Sequence, residues 1–361
     1  MFKFFDELED PRRAQGQRHK LRDILAMVIM AILSGHQGIR GFTRFARANE
    51  EELTEILNLK HGVPGYFTFQ YVLSKLDEQL LAKKFIQWAQ SYLPDLADDF
   101  VALDGKAIKS TTSGGNTKFQ NFVAVVSAFG HSTGLVYGMN SYENGKSAEP
   151  VALRDLVRQL GLQDTVFTMD ALHSKKKTLD LIRSIECHFL VQVKGNCPKL
   201  WEAIALHTAL ASPISTCEYY EDKKGYQVHR RIELYVNKAD LPKGWNGITR
   251  LVKVRRWGIR KGKAFEELAF YVLSKPLNSA LIVARAIQGH WGIENKLHWI
   301  KDVNFGEDDT TLTSPKGATI LAYLNNIAYN ALRLNNIKPT KDTFAKISNK
   351  AKELNKLLHA A

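Results

Sequence analysis

The chain is 361 residues long, with 50 Lys and Arg against 37 Asp and Glu, a formal net charge of +13 and a pI near 9.5. Hydrophobic residues make up 45% and charged residues 24%. These are ordinary proportions for a folded globular protein with room for two domains, or one large domain carrying an insertion. The basic excess favours a polyanionic partner, nucleic acid before membrane. Cys187, Cys197 and Cys217 have no C-x-x-C spacing, which argues against a zinc site or a disulfide framework.

Met1-Phe2-Lys3-Phe4-Phe5 runs straight into Asp6, Glu7 and Glu9, unlike a secretion signal. The longest apolar run, Ile24 to Leu33, is too short to cross a bilayer, so a soluble protein with no membrane partner is expected. Residues 1–95 read as a helical N-terminal domain suited to DNA binding or packing. Leu21, Ile24, Leu25, Val28, Ile32 and Leu33 repeat at helical spacing and stop at Ser34-Gly35. Further helices are predicted over 42–47, 50–59 and 69–92. The basic segment Pro11 to Lys20 precedes the first of these helices, as a solvated arm or a phosphate contact.

From Asp99 the pattern changes. Asp99-Phe100-Val101-Ala102-Leu103 reads as a buried strand ending on Asp104-Gly105-Lys106. Strands over 119–129 and 135–142 flank a hairpin signal at Gly130 to Gly134, and a helix is predicted over 149–160. Val166 to Met169 is again a strand, ending on Asp170-Ala171-Leu172-His173. A helix over 175–185 follows, then a strand over 188–193 ending at Lys194-Gly195-Asn196. Three antiparallel strands followed by alternating helix and strand is the order of an α/β, ribonuclease H-like core, assigned to residues 96–213.

Residues 214–274 break that alternation and read as a basic, β-rich insertion, with strands over 226–236, 249–256 and 268–273. Between Ser215 and Phe265 thirteen basic residues face only Glu218, Glu221, Asp222, Glu233 and Asp240. Such one-sidedness points to a nucleic-acid surface, with Arg230, Arg231, Lys253, Arg255 and Arg256 as backbone contacts. Trp257 and Trp245 either stack on a base or pack turns. Residues 275–361 return to helices, predicted over 279–300, 318–334 and 343–358, and complete the core.

Asp104 and Asp170 share a context, each closing a short apolar strand, where ligand sites of open α/β sheets gather. If the two strands are neighbours, the carboxylates face each other. Like charges about 4 Å apart repel by about 4 kcal/mol at an effective dielectric near 20. A hard divalent cation such as magnesium would offset that repulsion. Glu294, in His290-Trp291-Gly292-Ile293-Glu294-Asn295-Lys296-Leu297-His298-Trp299, can supply a third acid. At 3.6 residues per turn Ile287, His290, Trp291, Glu294 and His298 share one side of a helix. The alternative is a solvent-facing glutamate on an ordinary amphipathic helix.

Asp104-Gly105-Lys106, Asp170 to His173, Lys194 to Asn196 and the segment His290 to Asp308 resemble bacterial insertion-sequence transposases of the DDE type, in the branch that includes the H-repeat-associated proteins. The resemblance runs from Asp10-Pro11-Arg12 to the last helices. It implies a ribonuclease H-like fold with Asp104, Asp170 and Glu294 as a catalytic triad binding two Mg(II) ions, for which Mn(II) can substitute. It also implies double-stranded DNA partners (element ends and target), a homodimer on paired ends, and a bacterial cytoplasmic location on the nucleoid. Lys106, Lys109, His173, Lys194, His290, His298 and Lys301 are candidates for phosphate contacts or charge balance; Glu307 and Asp308 read as supporting or helix-capping acids, not ligands.

Departures from the wider pattern are visible. Ile287 stands at a Tyr place and His290 at an Arg place, while Lys301 keeps the Lys spacing. The Ser-His-Asp that commonly precedes Thr68 is missing, and Tyr71 stands where Arg is typical. Two further readings of function stay open: a metal-dependent nuclease without strand transfer, and a catalytically silent DNA-binding protein derived from a transposase.

Overall fold

A computed structural model describes residues 1–93, 99–114, 120–223 and 225–361. In chain order its elements begin with helices α1 (Phe2–Asp6), α2 (Leu21–Leu33), α3 (Gly38–Ala48), α4 (Glu50–Leu57), α5 (Tyr66–Lys75) and α6 (Glu78–Gln90). Strands β1 (Phe100–Ser113), β2 (Asn121–Gly130) and β3 (Val136–Glu143) follow, then α7 (Glu149–Leu160), β4 (Val166–Met169), α8 (Lys176–Ser184), β5 (His188–Val193) and α9 (Pro198–Leu210). Strands β6 (Ser215–Lys223), β7 (Tyr226–Val236), β8 (Arg250–Arg260) and β9 (Lys263–Leu273) lead to α10 (Ala280–Gly292) and a π-helix (Ile293–His298). The chain ends with α11 (Trp299–Val303), α12 (Pro315–Leu334), α13 (Lys341–Ile347) and α14 (Ala351–Ala360).

The chain divides into two compact units, Met1–Pro94 with Gly105–Leu160 and Ile293–Ala361, and Asp95–Asp104 with Gly161–Gly292. In the first, α12 is the central post. It packs against α2, α5, α6, α14, β2 and β3. Its apolar faces are so broad that every residue from Gly317 to Leu332 is buried, and α2 leaves only Arg22 uncovered. A helix covered on all sides must also satisfy its polar side chains internally. Asn330 does so by donating to the Val136 carbonyl and accepting from the Val136 amide, both at 2.9 Å, while the Tyr323 hydroxyl donates to the Met139 carbonyl at 2.7 Å. These bonds fasten β3 to α12, and β3 pairs antiparallel with β2. Thus the N-terminal helices share their core with the C-terminal ones.

Local chemistry explains where predicted helices break. The helix expected over 69–92 is two: the first ends at Lys75, and Asp77 caps the second, accepting from the Leu80 amide at 3.0 Å. The helix expected over 343–358 likewise splits into α13 and α14, with Asn349 at a φ of +56° between them. By itself, no single helix among the described residues is long and apolar enough to cross a membrane.

The second unit holds a sheet in the order β1-β4-β5-β9-β8-β7-β6, to which β1 supplies its first residues, Phe100–Asp104. Strand β4 lies parallel to both β1 and β5, and the remaining pairs are antiparallel. All four residues of β4 are buried, as a central parallel strand requires. Val166, Leu190, Ile232, Leu234, Val252 and Val254 form a core with Ala280, Val283 and Ala284 of α10. Fully burying each such aliphatic side chain contributes about 1.5–3 kcal/mol. Gly258 in β8 has a φ of +147°, and a Cβ there would lie 1.9 Å from the Gln227 carbonyl oxygen.

Two expectations need correction. Strand β1 does not end at Leu103 but continues through Asp104 to Ser113, so Asp104 lies within a strand. The helix expected over 279–300 is interrupted by the π-helix, which shifts the phase on which the one-sided face was drawn. Trp291 and Glu294 are exposed whereas Leu297 and His298 are buried.

Candidate active site

Strands β1 and β4 are in parallel register, Phe100 with Val166, Val101 with Phe167 and Ala102 with Thr168. The paired register ends there; extended by two residues, the same offset would set Asp104 level with Asp170, on strands that lie about 4.8 Å apart. Asp170 begins a turn of 3₁₀-helix and caps it, accepting from the Leu172 amide at 2.9 Å. The Asn196 amide donates to the Ala171 carbonyl at 2.6 Å, tying the loop after β5 to this turn. Its side chain about half exposed, Asp170 remains open to solvent.

Histidines surround Asp170. Buried His173 places Nε2 3.9 Å from its carboxylate. His290, on α10, sets Nδ1 3.1 Å from the Thr168 hydroxyl, two residues before Asp170. Loss of water pushes the His290 pKa down to about 4; Asp170 pulls it the other way and His173 adds to the fall. Near pH 7 the ring is neutral, and it supplies no positive charge to Asp170. Carboxylates such as Asp170 and Asp104 offer the hard oxygen ligands that a divalent cation takes.

Glu294 is exposed, in the first turn of the π-helix, within the unit that also contains Gly105–Leu160. Among the described residues, no three His, Cys, Asp or Glu side chains gather closely enough to hold a metal ion. His298, at the other end of the same π-helix, is buried.

The least anticipated feature is a charged cluster inside the first unit. Lys301 is wholly buried and pairs with equally buried Glu307 at 3.0 Å. Lys106, just 8% exposed, reaches Asp302 at 2.6 Å, Asp308 at 3.1 Å and Glu307 at 3.2 Å. The Asn325 amide, on α12, donates to Glu307 at 3.1 Å, and exposed Lys109 pairs with Asp308 at 2.7 Å. Burial alone would raise the Glu307 pKa, but Lys301 and Lys106 together hold it below the usual carboxylate range. Burial likewise opposes the charge of Lys106, yet Glu307, Asp302 and Asp308 raise it above an ordinary lysine. Lys301 is pushed down by burial, with Glu307 pulling back. Lys301 and Lys106 are thus interior ion-pair partners, the charge-balancing alternative. Glu307 and Asp308 are supporting acids, as their sequence reading has it, and Asp302, beside Lys301, joins them.

Strands β6 to β9 carry the predicted basic residues, each with an acidic neighbour: Arg230 with Glu221 at 3.4 Å, Arg231 with Glu218 and Glu233 at 2.9 Å, Lys253 with Glu233 at 3.6 Å, Arg255 with Glu266 at 2.8 Å and Arg256 with Glu267 at 3.1 Å. Glu266 and Glu267 lie just beyond the window counted in the sequence; over 215–267 thirteen basic residues oppose seven acidic ones. The surplus is smaller than it first reads but still positive. Across β6, β7 and β8, Tyr220, His229 and Trp257 are in register and their rings touch, 4.7 Å and 5.3 Å between centroids. They line a concave space of about 620 Å³, and the Arg255 guanidinium lies 4.9 Å from the Trp257 ring. Trp245 packs in a turn, under the Lys176 ammonium at 5.9 Å. Lys194 is exposed directly after β5.

Comparison with known proteins identifies the family. Residues 2–89 match the family described as "DDE_Tnp_1-associated" and residues 95–331 the family described as "Transposase DDE domain". The Escherichia coli O157:H7 protein named "Putative transposase YncI" is 29% identical over 332 residues, spanning 89% of this chain and 84% of its own length. The Escherichia coli K12 protein named "H repeat-associated putative transposase YhhI" is 26% identical over 335 residues, 90% of this chain and 88% of its own. Among solved structures, a piggyBac transposase synaptic complex with hairpin DNA aligns with a TM-score of 0.46 at 11% identity, covering 99% of this chain and 80% of that one. With nearly its whole length divided between those two family matches, the chain belongs to the DDE transposase family.

Proposed function

We propose that this chain is a magnesium-dependent DNA transposase that cuts phosphodiester bonds at the ends of a mobile element and joins the freed 3′-hydroxyl to target DNA. The observation that supports the reading is the parallel pairing of β1 with β4, the strands that lead to Asp104 and Asp170, in a chain of the DDE family. Asp104, Asp170 and Glu294 would hold two Mg(II) ions, or Mn(II) in their place. When bound, such ions polarise the phosphate and lower the pKa of an attacking water or hydroxyl.

The chain's own groups do the rest. Brought side by side, Asp104 and Asp170 would repel one another until a cation is shared. Neutral His290 pairs through Nδ1 with the Thr168 hydroxyl, two residues before Asp170, and adds no positive charge there. The surplus lysines and arginines of β6 to β9, with Lys194, follow the DNA backbone, and the Tyr220–His229–Trp257 ledge offers a stacking face for a base. A homodimer on paired ends, working at the bacterial nucleoid, completes the reading.

The test is to incubate purified protein with labelled element ends and a target plasmid in Mg(II). Joined products support the proposal. Cut ends without joining favour a nuclease, and binding without cleavage in Mg(II) or Mn(II) favours a silent DNA-binding descendant.

A further inference from the structure

We infer that Lys106 is a positioning residue, which ties the strand leaving Asp104 to the segment that follows Glu294. The inference rests on the transposase reading above. Lys106 stands two residues after Asp104, and its ammonium is held by Asp302, Glu307 and Asp308, eight to fourteen residues after Glu294. Three carboxylates converging on one nearly buried ammonium fix its position far more tightly than a surface pair would. Beneath them, Lys301 and Glu307 form a self-neutral pair, and Glu307 is anchored to α12 by Asn325.

The backbone is built to present these acids. Gly306 has a φ of +55°, and a Cβ there would lie 1.5 Å from the Gln37 side-chain nitrogen. The turn that aims Glu307 and Asp308 at Lys106 therefore requires glycine. Since α11 follows the π-helix of Glu294 without a loop, whatever holds Asp302 also limits the motion of Glu294. A lysine used to grip DNA would face solvent; this one faces inward, so its action on catalysis runs through the carboxylates it orders.

The test is Lys106→Met beside Lys106→Arg. The methionine variant leaves the Lys301–Glu307 pair in place but takes the ammonium from Asp302, so a circular-dichroism melt of each variant first establishes that it is folded. The expected result is a single-turnover cleavage rate, at saturating DNA, lowered by roughly a hundredfold, with DNA affinity unchanged and Lys106→Arg recovering most of the rate. Amide hydrogen exchange across 299–309 should quicken in Lys106→Met while α12 stays protected. Cleavage within about threefold of wild type overturns the inference. So does a loss that appears only as weaker DNA binding, which marks a phosphate contact, and so does unchanged exchange. If the wild-type protein cuts no DNA at all, the transposase reading fails, and exchange alone still decides whether the tie exists.

Discussion

Replacing Glu307 with glutamine keeps its shape and its bond from Asn325 but removes the negative charge between two lysines. The attraction between Lys301 and Glu307 at 3.0 Å is about 5 kcal/mol at an effective dielectric near 20, much of it offset by the cost of taking both groups from water. Glu307→Gln forgoes the attraction yet leaves Lys301 wholly buried and uncompensated. Removing one partner of such a pair typically costs about 3–5 kcal/mol, a large share of the roughly 5–15 kcal/mol that holds a folded protein together. Removing both charges, as Lys301→Met with Glu307→Gln, should return most of that loss, because Lys106 keeps Asp302 and Asp308.

Urea titrations followed by circular dichroism compare the three proteins. A Glu307→Gln loss below about 0.5 kcal/mol, or a double variant no better than the single, refutes the assignment of these groups as a charged interior pair. The pH dependence gives a second check. With the Glu307 pKa held below its unfolded value of 4.5, its contribution is complete above that value. It is lost as pH falls through the lower folded value, and Glu307→Gln should lack that loss.

Three further outcomes follow from the geometry. Because burial lowers the His290 pKa from 6.5 to about 4, stability is full above pH 6.5 and falls toward pH 4, by about 2–3 kcal/mol; melting temperature against pH should flatten over that window in His290→Gln. Asp104→Asn or Asp170→Asn should cost cleavage several orders of magnitude while filter binding shows DNA affinity retained; cleavage within tenfold of wild type would remove that residue from the site. The logarithm of DNA affinity should fall against that of salt with a slope near −5 if about six phosphates are engaged. Neutralising Arg230 and Arg256 together should reduce that slope by about two, measured by fluorescence anisotropy across a salt series.

How far the fold could be read in advance depended on the range of the forces involved. The strand containing Val101 and the strand of Val166 to Met169 announced themselves as apolar runs, and the two do pair in parallel. Position in the sheet was legible because it follows from composition over four or five residues. The end of β1 was not, since residues beyond Asp104 stay extended for pairing reasons that polar side chains such as Lys109 and Ser110 conceal. Strand β6 was missed for a related reason: Glu218, Glu221 and Asp222 read as loop until ladder pairing with β7 is known. The buried cluster was hidden more deeply. Lys106, Lys301 and Glu307 look like surface residues one at a time, and only long-range packing makes them mutual partners.

The wide turn from Ile293 to His298 carries an implication for how this segment changes. Its backbone bonds reach five residues instead of four, so it contains one residue more than a plain α-helix needs. That turn can lose its extra residue and return to ordinary winding with its flanks near their present phase, but a further insertion would rotate all that follows by about 100°. Exposed Trp299 would turn toward the interior, and Asp302 would leave Lys106. The segment is therefore far more vulnerable to an added residue than to a changed one, and a library of point variants would overlook its chief constraint.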